Sequence, residues 1–82
     1  MKPTILPRKL WKPSQRVWWV YQSYDKGPIA STGTVEPYDS PSSRSGIMIK
    51  PDNPLIDSFF VWDFVIRGGT GRTSPFYQLS LL

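Results

Sequence analysis

The chain has 82 residues with a formal net charge of +4, and it contains neither cysteine nor histidine. This length excludes a second independent core, and the absence of thiols excludes a disulfide framework and a thiolate metal site. The 39% of hydrophobic and 20% of charged residues exclude a disordered polymer, while nine prolines and six glycines favour a chain divided into short strands.

Three prolines interrupt residues 1–15 (MKPTILPRKLWKPSQ). Each proline removes a backbone donor and pushes the residue before it into an extended conformation, so neither a helix nor a central strand fits there. The sequence predicts an extended, basic arm over residues 1–15. Leu6, Leu10 and Trp11 are expected to hold this arm against the body of the domain.

Residues 16–24 (RVWWVYQSY) are rich in β-branched and aromatic side chains, which favour a strand. Alternation places Val17, Trp19 and Tyr21 on one face and Trp18 on the other. We expect one face to pack in the core. The other face is expected to be covered by the arm, by a neighbouring strand or by a partner.

Two shorter strands are predicted next. A turn at residues 25–28 (DKGP) leads to a strand over residues 29–35, where Gly33 indicates a bulge or a close backbone approach. Residues 36–45 are rich in proline, serine and aspartate and predict a long loop. The third strand, residues 46–50 (GIMIK), is expected to leave an exposed edge that could pair with a second copy across a two-fold axis.

Residues 55–67 (LIDSFFVWDFVIR) admit two interpretations. Asn53 as a cap, Pro54 at a first helical position and Gly68 beyond the end favour a helix. Apolar residues alternate through the segment, however, and in a helix its two aspartates would lie about 120° apart without forming a polar stripe. We therefore favour a strand, with a single helical turn just after Pro54.

A glycine-rich turn at residues 68–72 precedes a last predicted strand over residues 74–82, which makes five strands. The predicted fold class is all-β: residues 16–82 form one small five-stranded barrel, preceded by the arm. The strand opening at Arg16, the Thr-Gly-Thr-Val run at residues 32–35 and the strand at residues 46–50 resemble the first half of an SH3-like small barrel of the KOW or Tudor kind. That resemblance spans residues 16–52 and implies a binding face, made of loops and exposed aromatic rings, for nucleic acid, peptide tails or other proteins. An OB-like barrel has a similar composition and remains the alternative.

The composition argues against catalysis. Without histidine and cysteine, the commonest general base, the commonest nitrogen ligand for metals and all thiol chemistry are missing. A pair of carboxylates such as Asp57 with Asp52 or Asp63 could support hydrolysis only if folding brought them together. Residues 68–73 (GGTGRT) have the amides and the cation of an oxyanion loop, but they fit no Walker pattern and are more typical of a hairpin turn. We predict no enzymatic activity, no cofactor, no metal and no small-molecule substrate.

Charge and aromatic residues together suggest a binding surface. Residues 1–24 hold five basic side chains and no acid, whereas residues 25–82 hold five basic and six acidic ones. Cations that alternate with rings suit phosphates and unstacked bases, and Trp, Tyr and Arg also dominate protein interfaces. The predicted contact residues are Lys9, Trp11, Lys12, Arg16, Trp18, Tyr21, Tyr24, Tyr38, Arg44 and Arg72.

The sequence thus predicts a non-enzymatic binding module, an accessory, inhibitor or assembly protein that contacts a larger protein or its own copies. The alternative is a small β-barrel that binds DNA or RNA through the basic arm. Residues 1–13 lack the apolar run of a signal peptide, and the longest apolar stretch, residues 59–66, is too short to cross a bilayer. We therefore expect a soluble, cytoplasmic protein with no membrane partner.

Overall fold

The computed structural model describes residues 2–37 and 45–79. Within these ranges the protein is mostly antiparallel sheet with little helix, which confirms the predicted all-β class. Its elements are a 3₁₀ helix Arg8–Leu10, β1 Arg16–Ser23, β2 Gly27–Glu36, β3 Gly46–Pro51, β4 Phe59–Trp62, α1 Asp63–Gly68 and β5 Tyr77–Gln78.

The five strands form one sheet in the order β4-β3-β2-β1-β5, and each neighbouring pair is antiparallel. Strands β1 to β4 follow one another as a meander, and the chain then passes through α1 and returns beside β1 as β5. β2 pairs with β1 over residues 27–34 but with β3 only over residues 33–36. The first half of β2 therefore extends beyond β3. Because β3 lies between β2 and β4, the prediction that residues 46–50 form an exposed edge is wrong.

The turn between β1 and β2 has the chemistry that its sequence predicts. Gly27 has a φ of +70°, a left-handed conformation that favours glycine. The hydroxyl of Ser23 donates a 2.7 Å hydrogen bond to the Asp25 carboxylate across the turn. The hairpin places Tyr21 directly opposite Ile29.

The core lies on the inner face of the sheet, where alternate residues of each strand point. β1 contributes Val17 and Trp19, as the predicted alternation requires, and the Trp19 ring stacks on Phe76 with centroids 4.8 Å apart. The residues buried in this core are Leu6, Val17, Trp19, Val35, Ile47, Ile49, Val61, Ile66 and Phe76.

Gly33 makes the close backbone approach that its position in β2 predicts. A Cβ atom there would lie 2.8 Å from the carbonyl oxygen of Lys50 and 3.2 Å from the Trp19 ring. Because Gly33 has no side chain, the indole of Trp19 can pack directly against the backbone of β2.

Residues 55–67 are neither all strand nor all helix, so the favoured interpretation is wrong for their second half. β4 occupies only Phe59–Trp62, and α1 follows at once, with Ile66 buried and Asp63 paired to Arg67 four residues later. Ahead of β4, Asn53 caps a turn instead of a helix, because its Oδ1 accepts the N–H of Leu55 at 3.0 Å. The helical turn expected just after Pro54 is thus a hydrogen-bonded turn.

The residues before β1 are packed against the domain. The N–H of Leu6 donates to the carbonyl of Phe76 at 2.9 Å, and the N–H of Gln78 donates to Thr4 at 2.7 Å, so residues 4–6 lie antiparallel to β5. Leu10 and Trp11 pack against the core. The 3₁₀ helix means that this segment is not extended throughout, in contrast to the prediction.

The last strand was predicted over residues 74–82, but β5 covers only two of these nine residues, Tyr77–Gln78. Residues 80–82, and most of the predicted loop at residues 36–45, lie outside the described residues.

Candidate binding groove

A groove of about 610 Å³ lies between the outer half of the β1–β2 hairpin and the β3–β4 connection. Its walls combine inner-face residues of the hairpin, the turn after β3 and the segment before β5. The lining residues are Trp19, Tyr21, Ile29, Ala30, Ser31, Thr32, Pro51, Asp52, Asn53, Ile56, Phe59, Thr73 and Phe76.

The groove forms because the inner face of the β1–β2 hairpin extends beyond the buried core. Register pairs Trp19 with Ser31 and Tyr21 with Ile29, and all four residues share the face that buries Val17. β3 stops pairing with β2 at Gly33, and within the described ranges Tyr21 and Ile29 beyond that point stay 40% and 38% exposed. The apolar alternation that buries Val17 and Trp19 thus continues to Tyr21, where the same face of the sheet is exposed.

Aromatic rings form the floor of the groove. Trp19 lies between Phe76, stacked at 4.8 Å, and Phe59, which meets it edge-on at 5.8 Å. Because Trp19 and Phe76 belong to the core, this floor is rigid. An apolar side chain entering the groove would contact preformed aromatic surface.

The turn after β3 forms the opposite wall. Its geometry is fixed by Asn53, whose side chain accepts the N–H of Leu55 and whose carbonyl accepts the N–H of Ile56 at 3.1 Å. Ile56 lines the groove while remaining 49% exposed, and its neighbour Leu55 is almost fully exposed.

An ion pair fixes the junction of this turn with the sheet. Arg16 donates to both carboxylate oxygens of Asp52, at 2.6 and 2.5 Å, and also to the hydroxyl of Thr34 at 2.7 Å. Thr32 donates its hydroxyl to the same carboxylate. The hydrogen bonds from Arg16, and then the one from Thr32, hold the pKa of Asp52 well below its ordinary range, and the bond to Asp52 raises the pKa of Arg16.

This ion pair predicts an acid-sensitive fold. The lowered pKa means that folded Asp52 binds its proton less tightly than unfolded Asp52, so the stabilisation is complete above the unfolded pKa of about 4 and is lost as the pH falls below it. We expect urea midpoints to drop between about pH 5 and about pH 2. The variant Asp52→Asn should be less stable at neutral pH and should show a flatter pH dependence.

The matched control for this experiment is Asp57→Asn, since Asp57 is exposed and has no hydrogen bond or ion pair within the described residues. That variant should keep the full slope. Some slope should also remain in Asp52→Asn, because a hydrogen bond from Ser23 lowers the pKa of Asp25 too. An unchanged profile in Asp52→Asn would contradict the assigned role of the ion pair.

The structure disperses the contact residues predicted from the sequence. Lys9, Trp11 and Lys12 lie in the segment before β1, where the guanidinium of Arg8 sits 5.2 Å from the Trp11 ring centroid. The Trp11 indole N–H also points at the carbonyl of Leu6, 3.4 Å away. The guanidinium of Arg16 is ion-paired with Asp52, so it is not an uncompensated cation.

The remaining predicted residues fall into separate places. Trp18 packs on Tyr77 on the outer face, with centroids 4.5 Å apart, while the guanidinium of Arg72 lies 3.3 Å from the ring centroid of Tyr24 at the hairpin tip. Of the eight predicted residues that the structure describes, only Tyr21 lines the groove. Tyr38 and Arg44 lie outside the described residues.

Sequence reasoning missed most of the groove. Trp19 and Phe76 belong to the buried core and the partly buried Phe59 packs against it, so all three have the character of core residues. One available signal was Ile29. Alternation places this apolar residue on the same face as Gly33 and Val35, in the part of β2 that extends beyond its pairing with β3. That signal needs the register of β3, which the sequence alone does not supply.

No group of three or more acidic, histidine or cysteine side chains in residues 2–37 and 45–79 could hold a metal ion. In the same ranges, no helix has the length and apolar character needed to cross a membrane. Comparison with known proteins finds no matching family model, no matching curated protein and no matching solved structure.

Proposed function

We propose that this domain is a non-enzymatic binding module that acts through protein–protein contacts and holds an apolar segment of a partner in the groove. The observation that carries the proposal is the exposure of Tyr21, Ile29 and Ile56 on one concave surface. Single exposed apolar residues are ordinary, but a contiguous apolar patch with a polar rim is typical of an interaction site. Ser31, Thr32, Asn53 and Thr73 supply that rim.

Several cations and aromatic rings already contact other residues of the domain, and this supports a protein partner over nucleic acid. Binding of single-stranded nucleic acid needs open ring faces beside uncompensated cations. Here Arg8 lies over Trp11, Trp18 packs on Tyr77 and Arg16 is paired with Asp52. These contacts occupy much of the surface that the sequence offers to bases and phosphates.

Nucleic-acid binding by the basic segment remains the second candidate, because Lys2, Lys9 and Lys12 are exposed and close together in sequence. Packing of this segment on β5 would present these lysines from a fixed position. Such a site would act through phosphate contacts.

We further propose that the sheet belongs to the SH3-like architecture. A meander of four strands followed by a short helix and a fifth strand beside the first is the order expected of such a barrel. In an OB-like barrel the third strand would not be flanked by the second and fourth, as β3 is here. The strand order therefore supports the SH3-like alternative.

Selection from a displayed library of random dodecapeptides tests the proposed function. We expect peptides with apolar anchors, whose affinity falls about tenfold or more in Ile29→Thr, because that change keeps a β-branched residue but removes apolar surface. Ile56→Ser, in the opposite wall, should act similarly. The matched control is Phe64→Ser, which removes a more exposed apolar side chain on α1, outside the groove.

Three outcomes would contradict the proposal. They are the selection of no peptide, equal loss in the control variant, and peptides insensitive to both groove variants. If oligonucleotides bind instead, with an affinity that falls steeply with salt, the second candidate replaces the first. The salt slope should then decrease by about one in Lys9→Ala or Lys12→Ala, if the replaced lysine neutralises one phosphate.

A further inference from the structure

We propose that the groove takes its ligand as an added strand: an extended partner segment pairs antiparallel with the open edge of β2 at residues 28–30. Apolar side chains of the segment enter the groove, and an acidic residue follows them. This inference rests on the proposed function and specifies its partner and its binding mode. It depends on the direction of backbone groups in β2, on the end of β3 and on the charges at the two ends of the groove.

The hydrogen bonds fix the direction of the backbone. The N–H of Asp52 donates to the carbonyl of Thr32 at 3.0 Å, on the β3 side of β2. On the far side of β1, the N–H of Ser74 donates to the carbonyl of Val20 at 2.8 Å. Val20 and Ala30 are register partners, so in an antiparallel ladder both direct their N–H and C=O groups outward, away from each other's strand.

Nothing in the described ranges pairs with this edge. The register of β3 with β2 covers residues 33–36, and after Pro51 the chain turns away through Asp52 and Asn53. The N–H and C=O of Ala30 therefore lie open, beside the groove that Ala30 itself lines. Pro28 has no N–H, so it offers only its carbonyl to a further strand.

The pleat then defines what a partner segment must carry. Residues opposite Ile29 and Ser31 would point to the inner face, as those two residues do, and they would enter the groove. The residue between them would pair with Ala30 through two backbone hydrogen bonds. The ligand is thus an extended segment with apolar residues at positions i and i+2.

Charge selects the antiparallel direction. An antiparallel segment ends near Gly27, beside the exposed Lys26; Asp25 lies there too, already hydrogen-bonded by Ser23. Its start would lie near Asp52. A parallel segment would instead bring its acidic residue to Asp52, whose carboxylate is already paired with Arg16, and away from Lys26. An acidic residue just after the second anchor would lie beside Lys26 at the hairpin tip.

The experiment uses the peptides selected from the random dodecapeptide library. The test variant is Ala30→Pro and its matched control is Ala30→Ser. Proline at this position removes only the outward N–H, which leaves the β1–β2 ladder intact, and proline suits an edge strand. We expect Ala30→Pro to lower peptide affinity about tenfold or more, and Ala30→Ser to change it little. Urea midpoints of both variants confirm that the fold is retained.

Two peptide changes and one exchange measurement complete the test. N-methylation of the residue between the two anchors should weaken binding about tenfold, and replacement of the acidic residue by lysine should weaken it severalfold. Hydrogen exchange in the complex should slow at the Ala30 amide, which is open in the free protein. The amide of Ile29, which faces β1, should change little.

The outcomes separate this inference from the proposed function. If peptides lose affinity in Ile29→Thr but not in Ala30→Pro, the groove binds peptides and strand addition is wrong. Selected peptides without alternate apolar anchors, or with basic residues after them, would also overturn the inference. If no peptide depends on Ile29 or Ile56, the proposed function fails and this inference fails with it.

Discussion

Replacement of Phe76 by alanine should lower the free energy of unfolding by about 3–5 kcal/mol. The Phe76 side chain is 1% exposed and stacks on Trp19, with Phe59 at 6.5 Å. Removing it leaves a cavity between the sheet and α1, at the floor of the groove. Because a domain of this size is stabilised by only about 5–10 kcal/mol, we expect a urea midpoint close to half the wild-type value or lower.

The conservative variant Phe76→Leu separates volume from ring geometry. It keeps most of the buried volume and loses the stacking on Trp19, so it should cost about 1–2 kcal/mol. The backbone hydrogen bonds of Phe76, from its N–H to Ile66 and from the Leu6 N–H to its carbonyl, are unaffected by either change. A loss below about 1 kcal/mol in Phe76→Ala would contradict the core position of this ring.

The first three strands could be predicted because local composition and tertiary environment agree there. Alternation in residues 16–24 places Val17 and Trp19 inward, and both are buried. The Asp-Lys-Gly turn and the close approach at Gly33 follow from properties of glycine that hold in any fold. These features need no knowledge of distant parts of the chain.

The second half of residues 55–67 could not be predicted in the same way. α1 has six residues, fewer than two turns, so its apolar residues show no helical period against the alternation of β4. What favours the helix is tertiary: Ile66 enters the core, and the N–H of Phe76 bonds the carbonyl of Ile66. Local pattern and packing disagree here, and packing prevails.

The candidate site was harder to predict than the fold, because contacts between distant residues build it. The groove depends on β2 being longer than its pairing with β3, which is a property of register. The pairing of Arg16 with Asp52, 36 residues away, and the stacking of Arg72 on Tyr24 are equally non-local. The sequence pointed to aromatic and basic residues, but it could not tell which of them would contact one another in the fold.

Replacement of Leu6 by alanine should cost about 2–5 kcal/mol, almost as much as the loss of a central core residue. The sequence predicts that Leu6 holds this proline-rich segment against the domain, and the structure places its side chain in the core itself. Leu6 is 1% exposed, and its N–H bonds the carbonyl of Phe76. The side chain therefore completes the core that β5 and α1 enclose, and urea denaturation measures the loss.

The control for Leu6 is its neighbour, Ile5→Ala. Ile5 pairs with Tyr77 and is partly exposed, so its truncation removes a similar volume from the same segment and should cost less than about 1.5 kcal/mol. Equal losses for the two variants would mean that the segment contributes through its backbone pairing and not through a buried side chain. Small losses in both would mean that residues 2–15 are an appendage, and the surface assigned to the core would have to be covered in another way. A large loss for Leu6 alone places the start of the folded domain before β1, because a side chain cannot be fully buried by a segment that is not itself held in place.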